Sequence, residues 1–376
     1  METKGLESII AAQSQLSFID GQAGRLIYRG YDIHDLARYS TYEEVVYLLW
    51  QGELPNRRQL DEFSRELAAH RELPDGVVAV LRALPKTTHP MDGLRTAVSA
   101  LSGFDPDTED NSREATLRKA TRLTAQMASI AAIFERVRSG KAIVAPQYDL
   151  SHAANFLYML RGTLPDAEDA RALDTYFILL ADHELNASTF TARTIVSTES
   201  DLHAAITGAI GALKGALHGG ANQKVMEMLL EIGTAANAEP YVTEAMTAKK
   251  KLMGFGHRVY KTEDPRAVHL RRMSKELGEK YNAPEWYEMS KIIEDLVIAK
   301  LGARGINTNV EFYSASVLYL LGIPFDLFTP LFACSRIAGW SAHVLEQLGD
   351  NRLIRPKSEY LGKKDLPYVP IDQRAS

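Results

Sequence analysis

The feature that most constrains this chain is an apolar periodicity. From Thr41 onward, apolar residues recur at three- and four-residue spacing in windows separated by short breaks. Thr41 and Glu44 stand at the capping-box spacing before V-V-Y-L-L-W, and Gly52 and Pro55 end that segment. Asn56 can cap the next helix, whose Leu60, Phe63, Leu67 and Ala68 share one face. Windows of the same kind predict helices near 75–84, 90–101, 113–139, 150–161, 167–181, 186–197, 201–214, 221–232, 239–252, 265–279, 284–302, 312–321 and 327–348. The breaks carry Pro, Gly, Asp or Asn, as in L-P-D-G, R-G-T-L-P-D and L-G-I-P. No series of alternating apolar and polar residues joined by hairpin turns competes with this pattern, so the fold class is all-α. Ahead of Thr41, Gly21, Gly24 and Gly30 break any helix and predict turns or a small hairpin.

A chain of 376 residues is long for one core, which favours a large domain with a smaller companion. From Asp350 the periodicity is lost while apolar residues continue, which predicts an extended arm that packs on another subunit. A formal net charge of −5 argues against a nucleic-acid or membrane partner, both of which favour a basic face. One cysteine, Cys334, allows no intrachain disulfide and no cysteine-based metal site. With no basic n-region followed by an apolar stretch, and no apolar run of membrane length, a soluble cytoplasmic protein is expected.

Four stretches hold residues suited to chemistry. Met253–Arg266, M-G-F-G-H-R-V-Y-K-T-E-D-P-R, places His257 at the exit of a Gly254/Gly256 turn, with Arg258, Lys261 and Arg266 nearby, a setting for a polyanion. It is no dinucleotide fingerprint, because Val259 stands where G-x-G-x-x-G needs its third glycine. In G-A-L-K-G-A-L-H-G-G-A-N, Gly211, Gly215 and Gly219 recur every fourth residue, a smooth face on a helix, and His218 lies at the break that follows Leu217. His183 ends an apolar helix in A-D-H-E-L-N-A-S-T, and Ala187 excludes the H-E-x-x-H zinc motif. In I-N-T-N-V-E-F-Y-S, Glu311 fits either a routine first-turn carboxylate on a helix dipole or a general base beside Phe312 and Tyr313. Arg336 is the lone charge in an apolar helix and must be paired by an internal carboxylate or by an anionic ligand. Arg266, Arg336 and Arg355 together would hold a dicarboxylate through guanidinium forks.

In this order, L-I-Y-R-G-Y-D-I, A-D-H-E-L-N-A-S-T, L-H-G-G-A-N, G-F-G-H-R-V-Y-K, N-V-E-F-Y-S, F-T-P-L-F-A-C-S-R and N-R-L-I-R-P resemble citrate synthase of the short bacterial and archaeal type over most of the chain. The resemblance implies an all-helical homodimer or higher homo-oligomer, with a large domain of residues 1–219 and 326–376 and a small domain of 220–325. It implies condensation of acetyl-CoA, a substrate rather than a cofactor, with oxaloacetate. Glu311 would be the base, His218 the donor at the thioester oxygen and His257 the donor at the oxaloacetate carbonyl. His183, Arg266 and Arg336 would bind oxaloacetate, with Arg355 reaching in from the partner subunit. Arg258, Lys261, Lys250, Leu252 and Gly254 would meet CoA, and no metal is implied. One residue departs from the family pattern: N-V-D-F-Y-S has aspartate where this chain has Glu311. The extra methylene displaces the carboxylate by about 1 Å, which is expected to lower turnover. The same motifs fit 2-methylcitrate synthase, which uses propionyl-CoA, and the altered base admits a non-catalytic CoA- or dicarboxylate-binding relative.

Overall fold

The computed structural model describes residues 4–6 and 9–374. Three short strands, β1 (Ser17–Asp20), β2 (Arg25–Tyr28) and β3 (Tyr31–Asp32), form an antiparallel meander in which Phe18 pairs with Ile27 and Ile27 with Asp32. All other regular structure among the described residues is helical. The first half contains α1 (Ile33–Tyr39), α2 (Tyr42–Gln51), α3 (Arg57–Ala69), α4 (Asp75–Ala83), α5 (Pro90–Leu101), α6 (Arg113–Arg138), α7 (His152–Arg161) and α8 (Ala167–Leu180). The second half contains α9 (Ala187–Val196), α10 (Leu202–Leu213), α11 (Ala221–Ile232), α12 (Ala235–Thr247), α13 (Ala267–Lys280), α14 (Glu285–Leu301), α15 (Val310–Leu320) and α16 (Phe328–Gly349). None of these helices is long and apolar enough to cross a membrane.

The caps read from the sequence form. Thr41 and Glu44 close a capping box on α2, and Asn56 and Gln59 close another on α3. Three boundaries differ. α1 was not expected, because seven residues are too few to show a period; Asp32 starts it by accepting from the His34 N–H. α12 begins at Ala235 rather than near 239, and it carries Pro240 inside. It ends at Thr247 because Lys249 takes a left-handed φ of 55°, and the Lys250 N–H then closes on the Ala245 carbonyl. Finally, α10 stops at Leu213, so Gly215 and Gly219 lie beyond it and the three glycines do not make one helical face.

α16 is buried from Phe328 to Leu345 and packs against α2, α6, α8, α9 and α10, forming the centre of one set of helices. Between α10 and α16 in sequence, α11 and α13 pack on α15, and α12 packs on α14. The β1–β2 turn touches the segment between α12 and α13. Lys261 N–H donates to the Gly21 carbonyl at 2.9 Å, and any side chain at Gly21 would collide with the Val259 carbonyl. After Asp350 the chain is extended, apart from a short turn at Ile371–Gln373. Along it Tyr360, Leu361, Leu366, Tyr368 and Ile371 are all exposed.

Candidate active site

The loop between α12 and α13 is stitched to the entry of α15. Gly254 and Gly256 adopt φ of 86° and 82°, where a side chain is strained. A Cβ at Gly254 would also lie 2.6 Å from the Phe312 ring. Gly256 N–H donates to the Asn307 carbonyl at 2.8 Å, Asn309 N–H to the Gly254 carbonyl at 3.0 Å, and Phe255 forms a bridge with Thr308. This stitching brings His257 and Glu311, distant in sequence, into one region. His257 Nδ1 accepts the N–H groups of Val259 at 3.0 Å and Tyr260 at 3.1 Å. A nitrogen that accepts two N–H bonds carries no proton, so the proton is assigned to Nε2. Burial, reinforced by the Arg266 charge, pushes this imidazole down to about 4. It is therefore a neutral donor at pH 7.

His218 reaches the same state by other means. After α10 the chain turns back, with Gly219 N–H on the Leu213 carbonyl at 2.9 Å, and a Cβ at Gly219 would stand 2.6 Å from that oxygen. His218 Nε2 accepts the N–H of Ser188 at 3.3 Å and lies 2.9 Å from its hydroxyl. That hydroxyl also lies 2.8 Å from Asn186 Oδ1 and accepts from Trp340 Nε1 at 3.1 Å. Nε2 is thus the acceptor, and the ring proton is assigned to Nδ1. Burial and then Arg336 push His218 down to about 4. Ser188, in the first turn of α9, gave no sign of this role in the sequence.

His183 is buried in the segment after α8, and burial followed by the Arg266 charge holds it well below the ordinary histidine range. Its ring stands edge-on to His257, with centroids 5.3 Å apart, and its Nε2 is 3.3 Å from the Tyr260 hydroxyl. The segment is fixed from behind by the meander. Tyr28 Oη donates to the Asp182 carbonyl at 2.8 Å, Ser17 Oγ to Asp182 Oδ2 at 2.5 Å, and Ile19 N–H to Glu184 Oε1 at 2.6 Å.

The two buried arginines differ. Arg266 is paired with buried Asp264 through Nε at 2.9 Å and Nη2 at 2.7 Å, and this carboxylate raises it against burial. Arg336 has no carboxylate within 4 Å among the described residues. Its Nε donates to the Leu180 carbonyl at 2.6 Å, and its guanidinium lies over the Phe332 ring at 4.7 Å. Burial pulls it down to about 10, with Asp182 only partly opposing. The sequence left a choice between an internal carboxylate and a ligand, and for Arg336 the first is absent.

Glu311 lies in the first turn of α15, where Asn309 caps its N–H at 3.1 Å. Its carboxyl is half-buried, and desolvation raises it above the usual glutamate range although Arg266 and Arg336 oppose. These mutual influences tie the pieces together: Arg266 acts on His183, His257 and Glu311, and Arg336 on His183, His218 and Glu311. The remaining sequence-predicted residues lie outside this cluster or at its rim. Arg258 and Lys261 are exposed on the His257 loop, Lys250 is exposed after α12, Leu252 is half-buried and Gly254 is buried. Arg355 is exposed on the extended segment and makes no bond to the cluster among the described residues. Tyr260 and Asp264, which the sequence did not single out, are integral to the cluster. No group of three or more His, Cys, Asp or Glu among the described residues could hold a metal ion.

The family model described as "Citrate synthase, C-terminal domain" matches residues 5–357. The chain is 52% identical to the citrate synthase of Haloferax volcanii, covering 99% of this chain and 98% of that one. It is 41% identical to 2-methylcitrate synthase 1 of Corynebacterium glutamicum, over 99% and 98%. Its structure superposes on Pyrobaculum aerophilum citrate synthase with a TM-score of 0.93 at 43% identity, covering 99% and 95% of the chains. The ternary complex of Thermoplasma acidophilum citrate synthase with carboxymethyl coenzyme A and oxaloacetate gives a TM-score of 0.93 at 34% identity, covering 99% of both chains.

Proposed function

Because the chain belongs to the citrate synthase family, we propose that it condenses acetyl-CoA with oxaloacetate and water to give citrate and CoA. The observation that carries this reading is the pairing of two neutral imidazoles, each with its accepting nitrogen occupied by backbone N–H, with a carboxylate raised by burial. Glu311 takes a proton from the acetyl methyl while His218 Nδ1–H donates to the thioester oxygen, stabilising the charge of the enol form. The methyl carbon then bonds to the ketone carbon of oxaloacetate, and His257 Nε2–H donates to the oxygen on which negative charge accumulates. Water cleaves the resulting thioester and releases CoA.

In this reading Arg266, Arg336 and His183 hold the oxaloacetate carboxylates, and Arg336 gains the counterion it otherwise lacks. Arg355 joins from a second copy of the chain, and the exposed apolar side chains of the C-terminal segment supply the area for a homodimer. Arg258, Lys261 and Lys250 meet the CoA phosphates, with Leu252 and Gly254 against the adenine. Residues 220–325 form the small domain and close on the remainder when oxaloacetate binds; a scattering curve unchanged by oxaloacetate would count against closure. Proton transfer and hydrogen bonding suffice for this chemistry, so no cofactor is required, and the protein works in the cytoplasm.

Thiol release from acetyl-CoA, dependent on oxaloacetate, tests the reading directly. Its absence at high enzyme concentration, with ligand binding retained, would favour a non-catalytic binding protein. The relatives named 2-methylcitrate synthase motivate a second acyl donor. A higher kcat/KM with propionyl-CoA than with acetyl-CoA would move the assignment there.

A further inference from the structure

The mechanism leaves unused a buried carboxylate, Glu294 on α14, which adjoins the site and accepts from three side chains. It is 1% exposed. Arg271 of α13 grips it through Nε at 3.0 Å and Nη2 at 2.6 Å, Thr308 Oγ1 donates to it at 2.7 Å, and Tyr313 Oη at 2.8 Å. Each donor leads to a different part of the machinery. The backbone of Thr308 bridges Phe255, two residues before His257, and its carbonyl accepts the N–H of Asp264, the carboxylate that clamps Arg266. Tyr313 lies two residues beyond Glu311 on the same helix. Arg271 also bonds Glu263, beside Asp264, and its guanidinium lies over the Tyr313 ring.

We propose that Glu294 is a positioning residue that sets the His257 loop, the Arg266 clamp and the Glu311 helix in register with one another. The inference rests on the roles given to Glu311 and His257 above. The physical reason lies in the geometry of a carboxylate, whose two oxygens can accept from several donors at once without needing a proton of their own. Backbone hydrogen bonds already join these three segments, and Glu294 adds one buried side-chain anchor common to them; a displacement of the base by about 1 Å costs on the order of a hundredfold in rate.

Thr308→Val and Tyr313→Phe each delete one donor and leave the Arg271–Glu294 pair in place, while Glu294→Gln removes the charge. Ile293→Val, in the core beside Glu294 on α14, serves as a control for stability alone. The primary readout is exchange of the acetyl-CoA methyl protons into heavy water, in the presence of a non-condensable oxaloacetate analogue, which reports Glu311 without the later steps. Exchange should fall about tenfold in Thr308→Val and Tyr313→Phe and about a hundredfold in Glu294→Gln. Affinity for the analogue should change less than exchange does, and Ile293→Val should melt lower with exchange intact. Amide hydrogen exchange at Gly256 and Asn309 should quicken in the first three variants. Folded variants with parental methyl exchange and parental amide protection overturn the proposal. A parent chain that neither exchanges methyl protons nor releases thiol refutes the enzymatic reading instead, and the amide protection still decides whether Glu294 holds these segments together.

Discussion

Replacing Arg336 by methionine separates ligand binding from internal structure, because the two readings of this residue predict opposite signs. The guanidinium is buried and is held more than two powers of ten below its ordinary ionisation range, at about 10. At about 1.4 kcal/mol per power of ten, maintaining the charge costs the ligand-free protein about 3 kcal/mol. Methionine fills similar volume without charge. It leaves the Leu180 carbonyl without its donor, a loss of about 1–2 kcal/mol. The net is a ligand-free protein about 1–2 kcal/mol more stable, read as a melting temperature raised by a few degrees. At one oxaloacetate concentration the ligand should stabilise the parent more than the variant. Losing charge-assisted bonds of about 1.5–3 kcal/mol each should weaken oxaloacetate binding about 10- to 100-fold. Thermal melts with and without oxaloacetate, together with the KM for oxaloacetate, test both halves. A ligand-free variant that melts several degrees lower would show that Arg336 is satisfied within the protein, and the argument for an anion site would fail.

The acid limb of the pH–kcat profile should follow one ionisation, that of Glu311, above the ordinary glutamate value. Activity rises with pH because the base must be ionised, whereas His218 and His257, pushed to about 4, are already neutral there; a limb that stays put in Glu311→Asp would reject this assignment. In the same variant turnover should rise if the site favours the shorter family side chain, and steady-state kinetics that instead show its loss would mean the pocket is fitted to glutamate. Gly254→Ala should abolish activity, since the new methyl meets both an unfavourable φ and the Phe312 ring, with circular dichroism showing the helices intact. Ser188→Ala keeps the backbone N–H on His218 but frees the Trp340 indole N–H, and kcat should drop about tenfold with the KM for oxaloacetate little changed.

Much of this was legible in the sequence for a definite reason. Helix periods and caps are local, so the amphipathic windows and the capping boxes at Thr41 and Asn56 could be read directly. α1 escaped because its length is below that of a readable period, and the start of α12 escaped because Pro240 resembles a first-turn residue. Glycine breaks mark His218 and His257 as candidates and a lone charge marks Arg336, whereas Glu311 is singled out as a base only through the resemblance to citrate synthase. Their protonation states could not be read, since these depend first on burial, which only the fold decides, and then on groups the fold brings in, such as Ser188 for His218 and the Arg266 charge for His183. Histidines with no visible partner illustrate the same limit. His34 and His269, 235 residues apart, lie 2.8 Å from each other, and His343 lies 3.3 Å from Asp182.

The same separation explains how this site manages to be polar and buried at once. A histidine left to itself in a cleft could present either nitrogen and would titrate near neutral pH. Here backbone N–H groups, which do not titrate, occupy one nitrogen of each ring before any substrate arrives, and nearby guanidinium groups disfavour protonation. Those cations could not be tolerated without anions of their own, and the structure answers this unequally. Arg266 has Asp264, so it serves as a fixed charge that tunes its neighbours, whereas Arg336 is left short of a counterion. In the function proposed above, an anionic substrate would complete the electrostatics of the site, and the inequality between the two arginines makes Arg336 the position where its carboxylate is expected first.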